Sequence, residues 1–117
     1  MLRVAVAMAV LAAPPAFAQG SSTCKVVKFD ENASAATVSG TVGSEPPYPC
    51  YKIFIDADRT ATFQFTQTNG NMAFSIFNVC DDRDSYSFNA AAKTYKFIVF
   101  QNADAPPDPF TLTVSVK

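Results

Sequence analysis

Apolar and polar residues alternate with a period of two along most of this 117-residue chain. Turn residues interrupt the alternation about every 8–12 positions, the spacing of short strands in a sandwich or barrel. Successive strand side chains point to opposite faces, so each run predicts a strand with one face buried. No long stretch carries a 3.6-residue period. The runs predict strands at 25–29, 36–42, 51–55, 62–67, 72–79, 85–88, 94–101 and 110–116. The expected fold is all-β, an antiparallel β-sandwich of about eight strands and of jelly-roll type. Val38, Val42, Tyr51, Ile53, Ile55, Phe63, Phe65, Phe74, Ile76 and Leu112 fall on inward positions. The run Phe97-Ile98-Val99-Phe100 marks a central strand with both faces covered. Between strands, Asp56 to Arg59 reads as a hairpin connection and Asn69-Gly70 as a hairpin turn. Asp81 to Asp84 reads as a charged loop, and Ala90 to Lys93 as a short link with room for one helical turn.

The start of the chain has a different character. Arg3 is followed by the apolar run Val4 to Ala13 and by Ala16-Phe17-Ala18, a small-x-small cleavage pattern. This reads as a signal peptide over residues 1–18, with a single domain over 19–117. The run falls short of the roughly 20 apolar residues of a membrane span. No lipobox precedes Cys24. The expected location is periplasmic or secreted, with no membrane attachment after cleavage.

Composition narrows the chemistry. Beyond Arg3 the chain holds 8 Lys and Arg against 10 Asp and Glu, a net charge of −2, with no basic patch for nucleic acid. There is no histidine, so Ser-His-Asp and Cys-His mechanisms cannot be assembled. No nucleophile–base pair or metal cluster is visible, and the expectation is a non-enzyme without cofactor or metal. Eleven phenylalanines, mostly in alternating runs, are read as core. Asp81, Asp82 and Asp84 lack the spacing of an EF-hand and read as a solvated turn. Asp56 and Asp58 likewise read as turn residues.

Three cysteines in an exported domain leave one over. In a sandwich of alternating strands, odd-numbered strands start at the same end. Cys24 precedes the first strand and Cys50 the third, whereas Cys80 follows the fifth. A bridge needs Cα atoms within about 7 Å, and a six-residue strand spans about 20 Å. Cys24–Cys50 is the favoured pair and Cys50–Cys80 the alternative. A leftover Cys80 would be buried and inert or would link two chains.

Two proline-rich segments, Glu45-Pro46-Pro47-Tyr48-Pro49 and Ala103 to Pro109, make stiff loops that either guard sheet edges from aggregation or serve recognition, losing little entropy on binding. Tyr48 and Tyr51 flank Cys50 as candidate anchors for a protein partner. The same strand counting puts Asn69 and Asn71 at their end as polar neighbours. It also places 90–93 at that end, and 56–59, 80–84 and 102–109 at the other. Asp82, Arg83, Asp104 and Asp108 form the alternative binding set there.

Val27-Lys28-Phe29, Ser34-Ala35, Ser39-Gly40 and Tyr48-Pro49-Cys50-Tyr51-Lys52-Ile53-Phe54 together resemble the small bacterial periplasmic inhibitors of goose-type lysozyme. Thr94 to Val99 and Phe110 to Lys117 fit the same pattern. More broadly, the chain resembles the pre-peptidase C-terminal domain, an eight-stranded jelly roll. The first resemblance implies an exported protein that blocks a peptidoglycan-degrading g-type lysozyme by loop insertion. The second implies a module binding calcium or carbohydrate, without inhibition.

Overall fold

The computed structural model describes residues 24–117, so the signal-peptide reading lies outside the described residues. These form nine strands: β1 (Lys25–Val27), β2 (Ala35–Val42), β3 (Cys50–Ile55), β4 (Arg59–Gln67), β5 (Met72–Ile76), β6 (Cys80–Arg83), β7 (Ser85–Ala90), β8 (Lys93–Gln101) and β9 (Asp108–Val116). They make a five-stranded sheet, β1-β3-β8-β5-β6, and a four-stranded sheet, β2-β9-β4-β7. Consecutive strands switch sheets everywhere except from β5 to β6, in keeping with the jelly-roll expectation. Every pairing is antiparallel except the parallel pair β1–β3 at the sheet edge.

Alternation sets the core. Tyr51, Ile53 and Ile55 are buried on β3, Phe63 on β4, Phe74 and Ile76 on β5, and Leu112 and Val114 on β9. Rings interlock across the two sheets. Phe63 meets Phe97 edge-on at 5.1 Å and Phe74 at 5.8 Å, while Phe65 meets Phe74 at 5.9 Å. Such pairs contribute about 0.5–1.5 kcal/mol beyond their buried area. Gly40 is needed for close approach. A Cβ there would lie 3.2 Å from the Phe110 ring and 3.2 Å from the Tyr51 hydroxyl. β8 is central, between β3 and β5, as its apolar run predicts, but only one face is covered: Ile98 and Phe100 face outward and are half-buried.

Several connections differ from the sequence reading. Cys80–Arg83 is a strand and not a loop. Asn78 adopts a positive φ of 66°, Val79 N–H donates to Ile76 O at 3.0 Å, and the chain returns beside β5. An edge strand needs only backbone pairing, so exposed Asp81, Asp82 and Arg83 do not oppose it. Asn69-Gly70 does not close a hairpin, because β4 and β5 belong to different sheets. Asp56 to Asp58 likewise cross between sheets, from β3 to β4. No helical turn forms at 90–93, where β7 and β8 are separated by two residues only.

The extra strand has a topological effect. It reverses the direction of every strand after it, so loops counted to one end move to the other. The register places Val42 opposite Asp108, and Met72 opposite Gln101, at the end that carries Cys50. Segments 43–49, 68–71 and 102–107 therefore share that end. The 91–92 link sits at the other, near Ile55 and Val116. β1 is upstream of the reversal. Its parallel pairing sets Lys25 beside Tyr51, and the preceding residues, Cys24 and Cys50, are bonded with Cα atoms 4.5 Å apart. Cys80 is the free cysteine, half-buried by the β5–β6 turn. Burial pushes its thiol above the ordinary value, which disfavours the nucleophilic thiolate.

Candidate functional site

The two proline-rich loops, which strand counting separates, lie side by side. Their junction is built around Gln101, the last residue of β8. On that strand Tyr95, Phe97, Val99 and Gln101 all point inward, and Gln101 is the buried polar side chain among the described residues, at 3% exposure. A buried amide must satisfy its donors and acceptor or lose about 1–3 kcal/mol per orphaned group. Here one side chain does so by reaching every loop of the end. Its Nε2 donates to Val42 O at 3.0 Å, where the first proline-rich loop begins, and to Pro106 O at 3.0 Å in the second. Its Oε1 accepts from Asn69 Nδ2 and Asn71 Nδ2, both at 3.1 Å.

The asparagines extend the junction. Asn71 Nδ2 also donates to Ala103 O at 2.9 Å, and Asn71 Oδ1 accepts from Ala103 N–H at 2.8 Å. Asn69 Nδ2 also donates to Asp108 Oδ2 at 2.9 Å, and its Oδ1 accepts from Asn71 N–H at 2.8 Å. Gly70, at φ +85°, makes the tight turn between them possible. Farther out, Ser44 Oγ donates to Asp104 Oδ1 at 2.8 Å, joining the tips of the two proline-rich loops.

Tyr48 stands at the outer edge of this platform. It is half-buried, its ring lies 5.7 Å from that of Phe100, and its hydroxyl donates to Ser44 O at 3.3 Å. With Pro47 and Pro49 it borders a hollow of about 460 Å³ beside the disulfide. Glu45, Pro46 and Pro47 are exposed.

The expected binding residues thus divide by what they do. Tyr48, Asn69 and Asn71 share one end, and Asp104 and Asp108 join them there. Asp82 and Arg83 do not. They stay on β6, at the far edge of the five-stranded sheet, where Asp82 N–H donates to Ser75 Oγ and Arg83 stacks on Tyr86 at 5.3 Å. The alternative set is therefore not one surface. Its division follows from the strand that sequence reading takes for a loop. Tyr51 is only 6% exposed and packs on Phe97 at 5.3 Å, and burial pushes its phenol above the ordinary value. It supports the loop from below. The asparagine amides are spent on holding the loops, which leaves Tyr48 and the prolines facing outward. Gln101 and Ser44 escape sequence reading. A polar residue on the inward parity of the most apolar strand was the available signal for Gln101.

Among the described residues, no group of three or more Cys, Asp or Glu converges as metal ligands would. The larger hollow, about 680 Å³, lies at the opposite end and is lined by none of the expected binding residues.

No protein-family model matches the chain, and no curated protein matches it. Solved structures do. It is similar to Aeromonas hydrophila PliG, a periplasmic lysozyme inhibitor of g-type lysozyme, at 19% identity and a TM-score of 0.58. Salmonella Typhimurium PliG, with the same description, aligns at 18% identity and 0.61. A mutant of Escherichia coli PliG aligns at 19% and 0.59. Each match covers 81% of this chain and the whole of the other. At this identity the likeness establishes a shared fold.

Proposed function

We propose that this chain is an exported, non-enzymatic protein that inhibits a g-type lysozyme in the periplasm, using the three-loop end as the inserted surface. One observation carries the reading. Both proline-rich loops and the Asn69–Asn71 turn converge on a single buried amide, on a fold shared with three inhibitors of that enzyme class. Inhibition by insertion needs a rigid surface and no reactive group. Stiff loops tied at their bases lose little freedom on binding. Export is supported by Arg3, the apolar run and Ala16-Phe17-Ala18. A Cys80-linked dimer would leave the loops open, because Cys80 sits at the other end.

The test is lysis of peptidoglycan by a goose-type lysozyme, with a chicken-type enzyme as control. Stoichiometric, selective loss of goose-type activity is expected. Tyr48→Ala should weaken the complex by about 1–3 kcal/mol, as for an interface anchor. No effect on the goose-type enzyme at a large molar excess rejects the reading. Unchanged affinity in Tyr48→Ala moves the binding surface elsewhere.

A further inference from the structure

The outward face of the five-stranded sheet carries a row of side chains that the proposed inhibition does not use. Across β1, β3 and β8 and on to the residue that follows β5, the row runs Val26, Lys52, Lys96, Phe77. Val26 pairs with Lys52, and Lys52 stands directly opposite Lys96. Phe77 N–H donates to Lys96 O at 2.9 Å, and Lys96 Nζ lies 5.6 Å from the Phe77 ring. Like charges in direct cross-strand register repel. Neither lysine is in an ion pair, the one pair among the described residues being Arg59–Asp56. The row holds no acidic residue. Among the described residues the three most exposed large apolar side chains are Val26 at 64%, Phe54 at 58% and Phe77 at 46%, and all belong to this sheet and its immediate flank. Phe54 shares the outward parity of Lys52 on β3. Val26 and Phe54 also border the 680 Å³ hollow, whose mixed lining includes Phe29 and Ile55 as well as Lys28, Asp30, Asp56 and Arg59.

We propose that this face docks on an anionic lipid surface, with Lys52 and Lys96 meeting headgroup phosphates and Val26, Phe54 and Phe77 entering the interface. Charge complementarity calls for an anion to relieve the in-register lysines. The three protruding apolar tips favour an amphiphile over a wholly polar polyanion. The face runs along the strands, so a docked molecule holds its loop end parallel to the surface and free. The inference stands independently of the inhibitor reading.

The experiment is vesicle co-sedimentation of residues 19–117. Vesicles of phosphatidylcholine alone are compared with vesicles containing about one-third phosphatidylglycerol, at low and high salt. Binding to the anionic vesicles only, weakened by salt, is expected. Lys52→Glu places a carboxylate opposite Lys96. It should raise the unfolding midpoint and at the same time weaken vesicle binding by about tenfold or more. Opposite signs in the two readouts are what a lysine row kept for an anion gives. Phe54→Ser with Phe77→Ser should also reduce binding, with the fold intact by circular dichroism. Three results overturn the proposal: no binding to anionic vesicles, equal binding by Lys52→Glu, or binding to polyglutamate but not to vesicles. The last would assign the face to an acidic protein.

Discussion

On the four-stranded sheet the outward positions are Thr37, Ser39 and Thr41 on β2, Thr111, Thr113 and Ser115 on β9, Thr60, Thr62 and Gln64 on β4, and Ser85, Ser87 and Asn89 on β7. On the five-stranded sheet they include Lys52, Phe54, Lys96, Ile98 and Phe100. The inward faces are alike, both aromatic and branched aliphatic. The hydroxyl face satisfies itself across strands, with Thr62 Oγ1 and Ser87 Oγ 2.7 Å apart and Ser39 Oγ and Thr111 Oγ1 3.2 Å apart. None of its outward positions on these four strands carries a charged side chain. The other face leaves two like charges unpaired beside exposed rings. Burial dictates the inward choice on both sheets. The outward choice is free of that constraint, so a departure from a self-satisfied polar surface points to a partner.

The inward equivalence gives the largest expected effects. Phe63→Ala on the four-stranded sheet and Phe97→Ala on the five-stranded sheet should each lose about 3–5 kcal/mol in urea denaturation, by lost transfer energy and cavity formation. A clearly smaller loss in one would show that the sheets do not share the core equally. Next comes the edge of the five-stranded sheet, where three-residue β1 relies on the disulfide. Replacing Cys24 and Cys50 by Ser should cost about 3.5 kcal/mol, the loop-closure value for a bridge spanning 26 residues. Hydrogen exchange should rise first along β1 and β3.

Gln101→Met removes the amide that joins the loops and should cost about 1–3 kcal/mol. Its mark would be faster exchange in segments 43–49 and 102–107, with the amides of β3 and β9 unaffected. If the loops stay protected, proline stiffness alone holds them. The smallest effect belongs to the hydroxyl face. Thr62→Ala should cost about 0.2–1 kcal/mol, the range of a cross-strand pair. Thermal unfolding of that variant, read beside Lys52→Glu, compares the two outer faces directly, since the first substitution should lower the midpoint and the second raise it.

Period two alone determined that the chain makes strands and which residues they bury, because a half-buried strand cannot hide its alternation. Tyr51, Ile53, Ile55, Phe63, Phe74 and Leu112 were all legible in this way. The Cys24–Cys50 bridge was legible too, since it depends only on strands upstream of β6. What lay beyond the sequence was sheet membership. An Asn-Gly turn has the same local chemistry whether the next strand pairs with the last or crosses to the other sheet. An edge strand such as β6 needs no apolar pattern, because its pairing is carried by backbone groups that every residue has. Missing that one strand reversed the count behind it and parted two loops that in the folded chain share a single buried amide. Only the tertiary structure could bring Val42, Asn69, Asn71 and Pro106 to Gln101, because the contact joins segments that no local pattern relates.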